Sequence, residues 1–290
     1  MNKYLAKALK KINAFKFLNF NKTIRIGDKK FIVPVSDNIG YSNLNTSEPW
    51  MIDVLKIVLP LGDTNFVDIG VNIGQTLLKL KSLSSNIKYV GFEPNPFCVN
   101  YVYKLIDRNR FENTIIVPVG ISNKTEVGVL NFLDDSKANS SASIIADFRK
   151  SHVTKRKEFI PLFDFEDLKD KMKLDIISIL KIDVEGAELE VITSFRKELA
   201  KNETIVLLEI LPAYNAQNTF RIERQNKIQD ILFDLNYSIF RVIKKNDLLV
   251  NLEEVKEIEI HSNIDWCDYV IVPKTKVDKF KVYSKQLLKN

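Results

Sequence analysis

A polar turn follows the first strongly apolar strand of the chain. The strand is predicted over 65–69 and runs into the string DIGVNIG at 68–74, which contains Gly70 and Gly74. Gly70 permits a tight turn with close approach of the backbone to a ligand, and Gly74 allows a helix to begin beside that ligand with free N–H groups. Ligands of open α/β sheets bind beyond the carboxyl ends of the strands. The spacing therefore predicts a ligand site at this turn.

Acidic residues near the turn indicate which ligand it takes. A dinucleotide-binding turn has the pattern G-x-G-x-x-G against an anionic pyrophosphate, whereas here Asp68 precedes the first glycine and only two glycines occur. Asp68 suits a cationic ligand without phosphate, such as the amino and sulfonium groups of S-adenosylmethionine. At the end of the next predicted strand, in FEP at 92–94, Glu93 can accept hydrogen bonds from both ribose hydroxyls. We therefore expect S-adenosylmethionine as cofactor, held by Asp68, Gly70, Asn72, Gly74, Glu93, Pro94 and Asn95.

A third acidic string is LKIDVEGAELEVI at 180–192, where an apolar strand ends in Asp183 and Glu185 precedes a helix. The two carboxylates either cap that helix or act as catalytic groups beside the cofactor. A hydroxyl acceptor benefits from proton removal, so Asp183, or Glu185 behind it, is a candidate general base. Lys181 shares a strand face with Asp183, and either lowers its pKa for catalysis or forms a structural ion pair with it. The candidate catalytic residues are therefore Asp183, Glu185 and Lys181.

Together, DIGVNIG, FEPNP at 92–96 and KIDVEGAELEV at 181–191 resemble the FkbM family of S-adenosylmethionine-dependent methyltransferases, many of which are O-methyltransferases. The string IPLFDFEDL at 160–168 strengthens the resemblance, which covers roughly residues 45–275. Two departures stand out. The family usually has Ala where this chain has Val71, and it has a Gly near Ser194 or Phe195, where this chain has none.

This resemblance implies a Rossmann-like class I methyltransferase fold and O-methylation of a hydroxyl on a sugar, a glycan or a secondary metabolite. Two other functions stay open. A nucleic-acid methyltransferase acting on RNA would contact phosphates through the basic run at 149–157, but the chain has neither an Asp-Pro-Pro-Tyr type site nor a Pro-Cys nucleophile, so nucleic acid is not the substrate we expect. A non-catalytic partner-binding domain would keep the fold without binding the cofactor.

The hydrophobic periodicity predicts an α/β protein with a mostly parallel central sheet and helices on both faces, because strands and helices alternate. Pro118 places its strand at a sheet edge. The predicted strands are 65–69, 88–92, 114–119, 127–132, 175–183, 204–210, 237–243 and 268–274, and the predicted helices are 48–59, one from about 74, one from about 96, 186–198 and 221–235.

We expect three parts along the chain. Residues 1–45 form an N-terminal extension with an amphipathic helix and a hairpin around Gly27-Asp28. Residues 46–275 form the methyltransferase domain, in which 133–159 is an insertion that covers a site or binds a partner. Residues 276–290 form a basic C-terminal tail.

The composition is that of a soluble globular protein, with 45% hydrophobic and 28% charged residues. Forty-three basic against thirty-seven acidic residues give a net charge of +6 that is spread along the chain, so the charge gives no support to a nucleic-acid partner. The two cysteines, Cys98 and Cys267, and the two histidines, His152 and His261, lack the spacing of metal ligands. No metal is expected.

The first twenty residues contain lysines at 3, 7, 10, 11 and 16, so they lack the continuous apolar core of a secretory signal. No run approaches the ~20 apolar residues that span a bilayer. We therefore expect a cytoplasmic protein. Within residues 1–20, one helical face is apolar and consists of Leu5, Ala8, Leu9, Ile12 and Phe15. This face either docks on the protein's own domain or makes peripheral contact with the inner face of the membrane.

Overall fold

The computed structural model of the 290-residue chain describes residues 19–62, 65–134, 136–138, 141–146, 148, 154–174 and 176–288. The amphipathic helix expected within residues 1–20 lies almost entirely outside these ranges. The strands are β1 (Phe20–Ile26), β2 (Lys29–Val35), β3 (Asn65–Ile69), β4 (Lys88–Phe92), β5 (Thr114–Val117), β6 (Gly120–Ile121), β7 (Glu126–Phe132), β8 (Arg156–Phe163), β9 (Ile179–Ile182), β10 (Ile205–Glu209), β11 (Tyr237–Lys245), β12 (Leu248–Val255) and β13 (Asp268–Pro273). The α-helices are α1 (Pro49–Val58), α2 (Gln75–Leu83), α3 (Pro96–Asn109), α4 (Glu166–Met172), α5 (Glu188–Ser194), α6 (Arg196–Lys201), α7 (Thr219–Asp234) and α8 (Val277–Leu288).

The central sheet has the strand order β12-β11-β13-β10-β9-β3-β4-β5. Strands β10, β9, β3, β4 and β5 pair in parallel, whereas β13 runs antiparallel to both of its neighbours. The chain proceeds outward from β3 in one direction and from β9 in the other, so the strand order reverses between these two strands. A crevice opens at such a reversal beyond the carboxyl ends of the strands. The predicted mostly parallel sheet is confirmed.

Helices cover both faces of this sheet, as predicted. One buried core contains Leu55 of α1, Leu77 of α2 and Val102 of α3. The opposite core contains Val191 of α5 and Ile228 of α7. The apolar stripe of these helices explains why their positions could be predicted, since three to four apolar residues in every two turns must be buried against a neighbour.

Several local predictions agree closely with the structure. The predicted strands 65–69 and 88–92 coincide with β3 and β4, and β5 is an edge strand that ends just before Pro118. The side chain of Asn95 accepts a hydrogen bond from the N–H of Phe97 at 3.0 Å, which caps the start of α3. The hairpin around Gly27-Asp28 is also present, with Ile26 paired to Lys29.

The helix predicted over 186–198 is instead two helices, α5 and α6, that meet at Phe195. Here the chain lacks the glycine typical of the family. The ring of Phe195 stacks on that of Phe165 with centroids 4.1 Å apart, and the Ser194 hydroxyl accepts a hydrogen bond from the N–H of Phe165 at 2.7 Å. Ser194 and Phe195, whose side chains are larger than that of glycine, thus hold the segment before α4 against the junction of α5 and α6.

The elements that were not predicted are β6, β8, β12, α4 and α8. Strand β12 has mostly exposed residues without clear alternation, because it lies at the sheet edge. Helix α8 occupies the segment expected as a basic tail, and its Phe280 is buried against Phe240 with ring centroids 4.7 Å apart. Within the described ranges, no helix combines the length and the apolar character that crossing a bilayer requires.

The region from 120 to 163 forms a small second sheet with the order β6-β8-β7. The charged run at 149–159, expected as part of an irregular insertion, contributes its last residues to β8, and residues 149–153 lie outside the described ranges. Leu130, Phe132, Ile160 and Leu162 form a separate apolar cluster between its strands. The insertion therefore follows directly after β7 and ends within β8 of this second sheet.

Val71, the other departure from the family, is accommodated by Gly91 on the neighbouring strand. A Cβ atom added at Gly91 would lie 2.4 Å from Cγ2 of Val71, 2.9 Å from the Tyr89 ring and 3.1 Å from Ile116. Real Cβ contacts are not this short. The larger residue at 71 therefore requires a residue without a side chain at 91.

We expect Gly91→Ala to lower the free energy of unfolding by about 1–3 kcal/mol, the usual cost of overpacking a core. Val71→Ala should offset part of this cost, because it removes the methyl group that comes closest. Urea denaturation of the wild type, both single variants and the double variant measures the coupling. Strictly additive costs would show that the two positions do not compete for space.

Candidate functional site

A cavity of about 320 Å³ opens beyond the carboxyl ends of β3, β4, β9 and β10, at the reversal of strand order. The sequence-predicted residues that line it come from three separate strings, which the structure brings together at one cavity. They are Gly70, Asn72, Glu93, Pro94, Asn95, Asp183 and Glu185. Three other predicted residues, Asp68, Gly74 and Lys181, do not line the cavity.

The turn after β3 owes its shape to Gly70, which has a φ of +87°. A Cβ atom here would lie 1.9 Å from the carbonyl oxygen of Asp183, so Gly70 permits the close approach of β3 to the segment after β9. Gly74 also has a positive φ, of +76°, but its α-carbon faces Leu105 of α3, 3.0 Å from an added Cβ. Gly74 therefore serves helix packing, in contrast to its expected place beside the ligand.

Glu93 is held rigidly at the cavity wall by two backbone donors. Its Oε2 accepts a hydrogen bond from the N–H of Asn72 at 2.7 Å, and its Oε1 accepts one from the N–H of Asn95 at 2.8 Å. Burial raises the pKa of Glu93 to about 7, although the hydrogen bonds from Asn95 and Asn72 favour the ionised form. Each oxygen retains a lone pair for a further donor. The carboxylate is thus oriented to receive two hydroxyl groups.

Asp68, expected among the residues that hold the cofactor, is fully buried and does not line the cavity. Its Oδ2 accepts a hydrogen bond from the Tyr89 hydroxyl at 2.6 Å, and its Oδ1 lies 3.2 Å from Nζ of Lys181. The side chain at 68 projects from one face of β3 and contacts Tyr89 of β4 and Lys181 of β9, because alternate residues of a strand face opposite sides. Asp68 therefore acts on the site through Lys181 rather than by touching a ligand.

Lys181 joins Asp68 to Asp183. Its Nζ lies 3.2 Å from Oδ2 of Asp183 and donates a hydrogen bond to the carbonyl of Gly70 at 3.3 Å. Burial alone would lower the pKa of Lys181, but the charges of Asp183 and Asp68 outweigh it and raise that pKa above its usual range. The predicted proximity of Lys181 and Asp183 is confirmed as an ion pair.

Asp183 combines this ion pair with access to the cavity, since 38% of its side chain is exposed. Its partial removal from water would raise the pKa, but Lys181 and a hydrogen bond from Glu209 bring it below its ordinary value. Asp183 is therefore ionised at neutral pH and available to a bound molecule. Glu185 lines the same cavity with a φ of +56°, a conformation that costs a non-glycine residue of the order of 1 kcal/mol or more.

Sequence reasoning missed two acidic lining residues, Glu209 and Glu48. Glu209 is the last residue of β10, so the signal was present: an apolar strand ends in an acidic residue, just as β4 is followed by Glu93. Glu48 precedes α1 with a φ of +47° and forms an ion pair with Lys79 of α2 at 2.7 Å. No motif marks Glu48, because a loop places it at the site.

One wall of the cavity consists of Leu130 of β7 together with Ala142 and Ile144 of the insertion. Farther along, the ring of Phe148 lies directly over Gly186, where an added Cβ would be 2.6 Å from the ring. Arg221 of α7 holds this contact, because its guanidinium carbon is 4.1 Å from the ring centroid and its Nη2 donates to the Phe148 carbonyl at 2.8 Å. The described residues of the insertion therefore border the site.

Among the residues that the structure describes, we find no group of three or more His, Cys, Asp or Glu side chains arranged to hold a metal ion. Both cysteines are buried and unpaired.

Comparison with solved structures finds methyltransferases. An FkbM methyltransferase from Methylobacillus flagellatus KT aligns with 72% of this chain at 14% identity and a TM-score of 0.44, and the aligned part spans 43% of that protein. An O-methyltransferase from Bacillus cereus in complex with SAH aligns with 94% of this chain and 92% of its own at 10% identity and a TM-score of 0.45. A putative caffeoyl-CoA O-methyltransferase from Staphylococcus aureus aligns with 92% and 91% at 13% identity and a TM-score of 0.42. A comparison with curated proteins found no match.

The family comparison covers the elements that form the cavity. The model of the methyltransferase FkbM domain matches residues 68–239, from the end of β3 to the start of β11. This span exceeds half of the 290 residues. The resemblance inferred from the three strings and the Rossmann-like architecture are thereby confirmed: the chain belongs to the FkbM methyltransferase family.

Proposed function

We propose that this methyltransferase transfers a methyl group from S-adenosylmethionine to a hydroxyl group of a sugar, a glycan or a secondary metabolite. Membership of the FkbM methyltransferase family establishes methyl transfer, and S-adenosylmethionine is the methyl donor for this reaction. The observation that carries the proposal is the convergence of Glu93 and Asp183 on one cavity, where Glu93 is oriented by two backbone N–H groups and Asp183 is kept ionised by Lys181.

The chemistry of the lining suits this donor. The charged lining residues are all acidic, and no Lys or Arg occurs among the described residues that line the cavity. A sulfonium and an ammonium group are cationic, so such a lining favours them and disfavours a pyrophosphate. Glu93 would bind the ribose hydroxyls, and the apolar wall of Ile121, Leu130 and Ile144 would bind the adenine.

The chain's own residues would supply positioning and proton removal. When bound, S-adenosylmethionine supplies an activated methyl group on a cationic sulfur. Transfer then requires the acceptor oxygen to be held in line with the carbon–sulfur bond, so much of the rate comes from orientation. Asp183 would accept the hydroxyl proton, since it is ionised and exposed to the cavity. Glu185, on the same wall, is the alternative base.

We expect the affinity for S-adenosylmethionine to fall as the pH falls below 7. Burial raises the pKa of Glu93 to about 7 in the unliganded protein. Hydroxyl donors favour the ionised carboxylate, so binding lowers that pKa and releases a proton below pH 7. The Kd should therefore be constant above about pH 8 and rise by up to about tenfold per pH unit below 7.

Isothermal titration calorimetry between pH 5.5 and 8.5, in two buffers of different ionisation enthalpy, measures both the Kd and the proton release. The Glu93→Gln variant is the control for ionisation of the ligand itself, because it lacks the titrating carboxyl. A wild-type Kd with the same pH dependence as that of Glu93→Gln would disprove the ionised Glu93 contact.

The acceptor class is tested by a methyl-transfer assay. Purified protein is incubated with S-adenosylmethionine labelled in the methyl group and with fractionated glycans, small metabolites and RNA from the source cell. We expect label in a hydroxyl-rich fraction, as an ether that resists mild base. Label confined to RNA, or base-labile label in carboxyl groups, would refute the proposed acceptor.

The other partners named from the sequence remain predictions. The acidic lining disfavours a phosphate-rich acceptor, which supports a neutral hydroxyl substrate over RNA. Peripheral contact with a membrane through residues 1–20 concerns a segment that lies almost entirely outside the described residues. Vesicle sedimentation of the full chain and of a chain lacking residues 1–18 would test it.

A further inference from the structure

Asp183 and Glu209 are neighbours at the ends of adjacent parallel strands. The register of β9 and β10 pairs Ile182 with Leu208, so the next residues of both strands stand side by side. Both side chains line the cavity and also the smaller pocket next to it, so the two carboxyl groups lie close together. Two neighbouring carboxylates repel each other, so one of them takes up a proton and can then donate a hydrogen bond to the other.

We propose that Asp183 and Glu209 form a carboxyl pair that shares one proton, in which Glu209 positions Asp183 for removal of the acceptor's proton. This inference rests on the proposed function, because it assigns a role within the same site. Glu209 acts through Asp183, so it is a positioning residue. It extends the site to a fourth strand end, that of β10, which none of the three sequence strings includes.

The surrounding charges decide which member of the pair holds the proton. Asp183 faces cationic groups, namely Lys181 of its own strand and Lys79 of α2, with Asp68 behind Lys181. Glu209 faces acidic groups instead, and burial together with the charge of Asp183 raises the pKa of Glu209 to about 11. Its neighbours are Asp268 and Glu185, with Cys267 beside it and Glu48 across the cavity.

The charge of Asp268 does not move the proton from Glu209 to Asp183. Lys244 lies 2.6 Å from Oδ2 of Asp268 and compensates its charge, while burial raises the pKa of Asp268 to about 6. At neutral pH the proton therefore stays on Glu209, and the negative charge stays on Asp183 beside Lys181.

The reaction step follows from this arrangement. The hydroxyl proton of the acceptor passes to the free oxygen of Asp183 while the acceptor oxygen forms its bond to the methyl carbon. The bond between that carbon and the donor sulfur breaks, and the sulfur keeps the electron pair. Asp183 then carries the proton, and the pair returns one proton to water before the next turnover. In the starting state, Glu209 orients the carboxylate by donating to its other oxygen.

Two variants separate this role from simple packing. Glu209→Gln keeps a hydrogen-bond donor toward Asp183, whereas Glu209→Ala removes it. Without that donor the ionised form of Asp183 is less stabilised, so its pKa rises. We expect Glu209→Ala to lower kcat by at least about tenfold and to move the acidic limb of the pH profile upward by about one unit. The kcat of Glu209→Gln should be at least fivefold closer to the wild-type value than that of Glu209→Ala. The acidic limb of its pH profile should lie at the wild-type pH.

The test combines two measurements on the full chain. Carbon-13 NMR of protein with labelled glutamate carboxyl groups should show one carboxyl that stays protonated at pH 8, and the signal should be missing in Glu209→Gln. Kinetics use the acceptor fraction that the wild type methylates, and calorimetry with S-adenosylhomocysteine confirms that each variant is folded.

A Glu209 carboxyl that is ionised at pH 7, or an acidic limb that does not move in Glu209→Ala, would overturn the inference. If the wild type methylates no fraction, the proposed function fails by itself. The carboxyl titration still decides whether the proton is shared, so the two failures are distinguishable.

Discussion

Asp183→Asn is expected to reduce methyl transfer by about 10²- to 10⁴-fold, the range that a general base contributes. The variant keeps the size of the side chain and its place beside Glu209, but an amide cannot accept the hydroxyl proton. The affinity for S-adenosylmethionine should change by less than about threefold, because the ribose contact belongs to Glu93. Single-turnover assays with labelled donor, together with calorimetry, separate the two effects.

Glu185→Gln is the matched control, since Glu185 lines the same cavity two residues away. If Asp183 is the base, this variant should retain turnover within about tenfold of the wild type. The reverse pattern, with a large loss in Glu185→Gln and a small loss in Asp183→Asn, would assign the base to Glu185. Wild-type turnover in both variants would show that neither Asp183 nor Glu185 is the general base.

Glu93→Ala is expected to weaken the binding of S-adenosylmethionine by about 10- to 100-fold. This corresponds to about 1.4–2.8 kcal/mol, in keeping with the loss of one or two hydrogen bonds to a charged group. The two N–H groups of Asn72 and Asn95 also lose their acceptor, so the turn that forms the cavity wall loses its support. Calorimetry with S-adenosylmethionine measures the change directly.

Glu188→Ala provides the control for this variant. Glu188 is also a buried carboxyl whose pKa burial raises to about 7, and it accepts a hydrogen bond from the N–H of Gly186 at 2.7 Å. It does not line the cavity. Both variants should therefore lose stability, but Glu188→Ala should keep the donor affinity. Equal affinity in Glu93→Ala and the wild type would show that Glu93 does not bind the ribose.

The sequence predicted those parts of the fold that have local signals. Strands β3 and β4 are short apolar runs ending at polar turns, and Asn95 with Pro96 marks the start of α3, so their limits follow from nearby residues. The edge strand β12 is largely exposed and lacks alternation, and α8 buries one large ring, Phe280, in a lysine-rich segment. Their positions depend on contacts distant in sequence.

The candidate site was predictable to the extent that its residues follow strand ends. Glu93, Asp183 and Glu185 line the cavity for that reason. The direction of each side chain was not predictable in the same way. Asp68 contacts Tyr89 and Lys181 on the neighbouring strands and does not line the cavity. Glu48 and the wall formed by Ala142 and Ile144 depend on how loops fold over the sheet, which no periodic pattern encodes.

The central claim is that one cavity, with Glu93 on its wall, binds S-adenosylmethionine. The most direct test is calorimetric titration of the purified wild-type chain at pH 8, compared with Glu93→Ala under the same conditions. The account predicts one donor molecule bound per chain, with a Kd below about 1 mM, the upper end of ordinary substrate affinities, and weaker binding by the variant. The absence of binding by a folded wild-type chain at millimolar donor would contradict it.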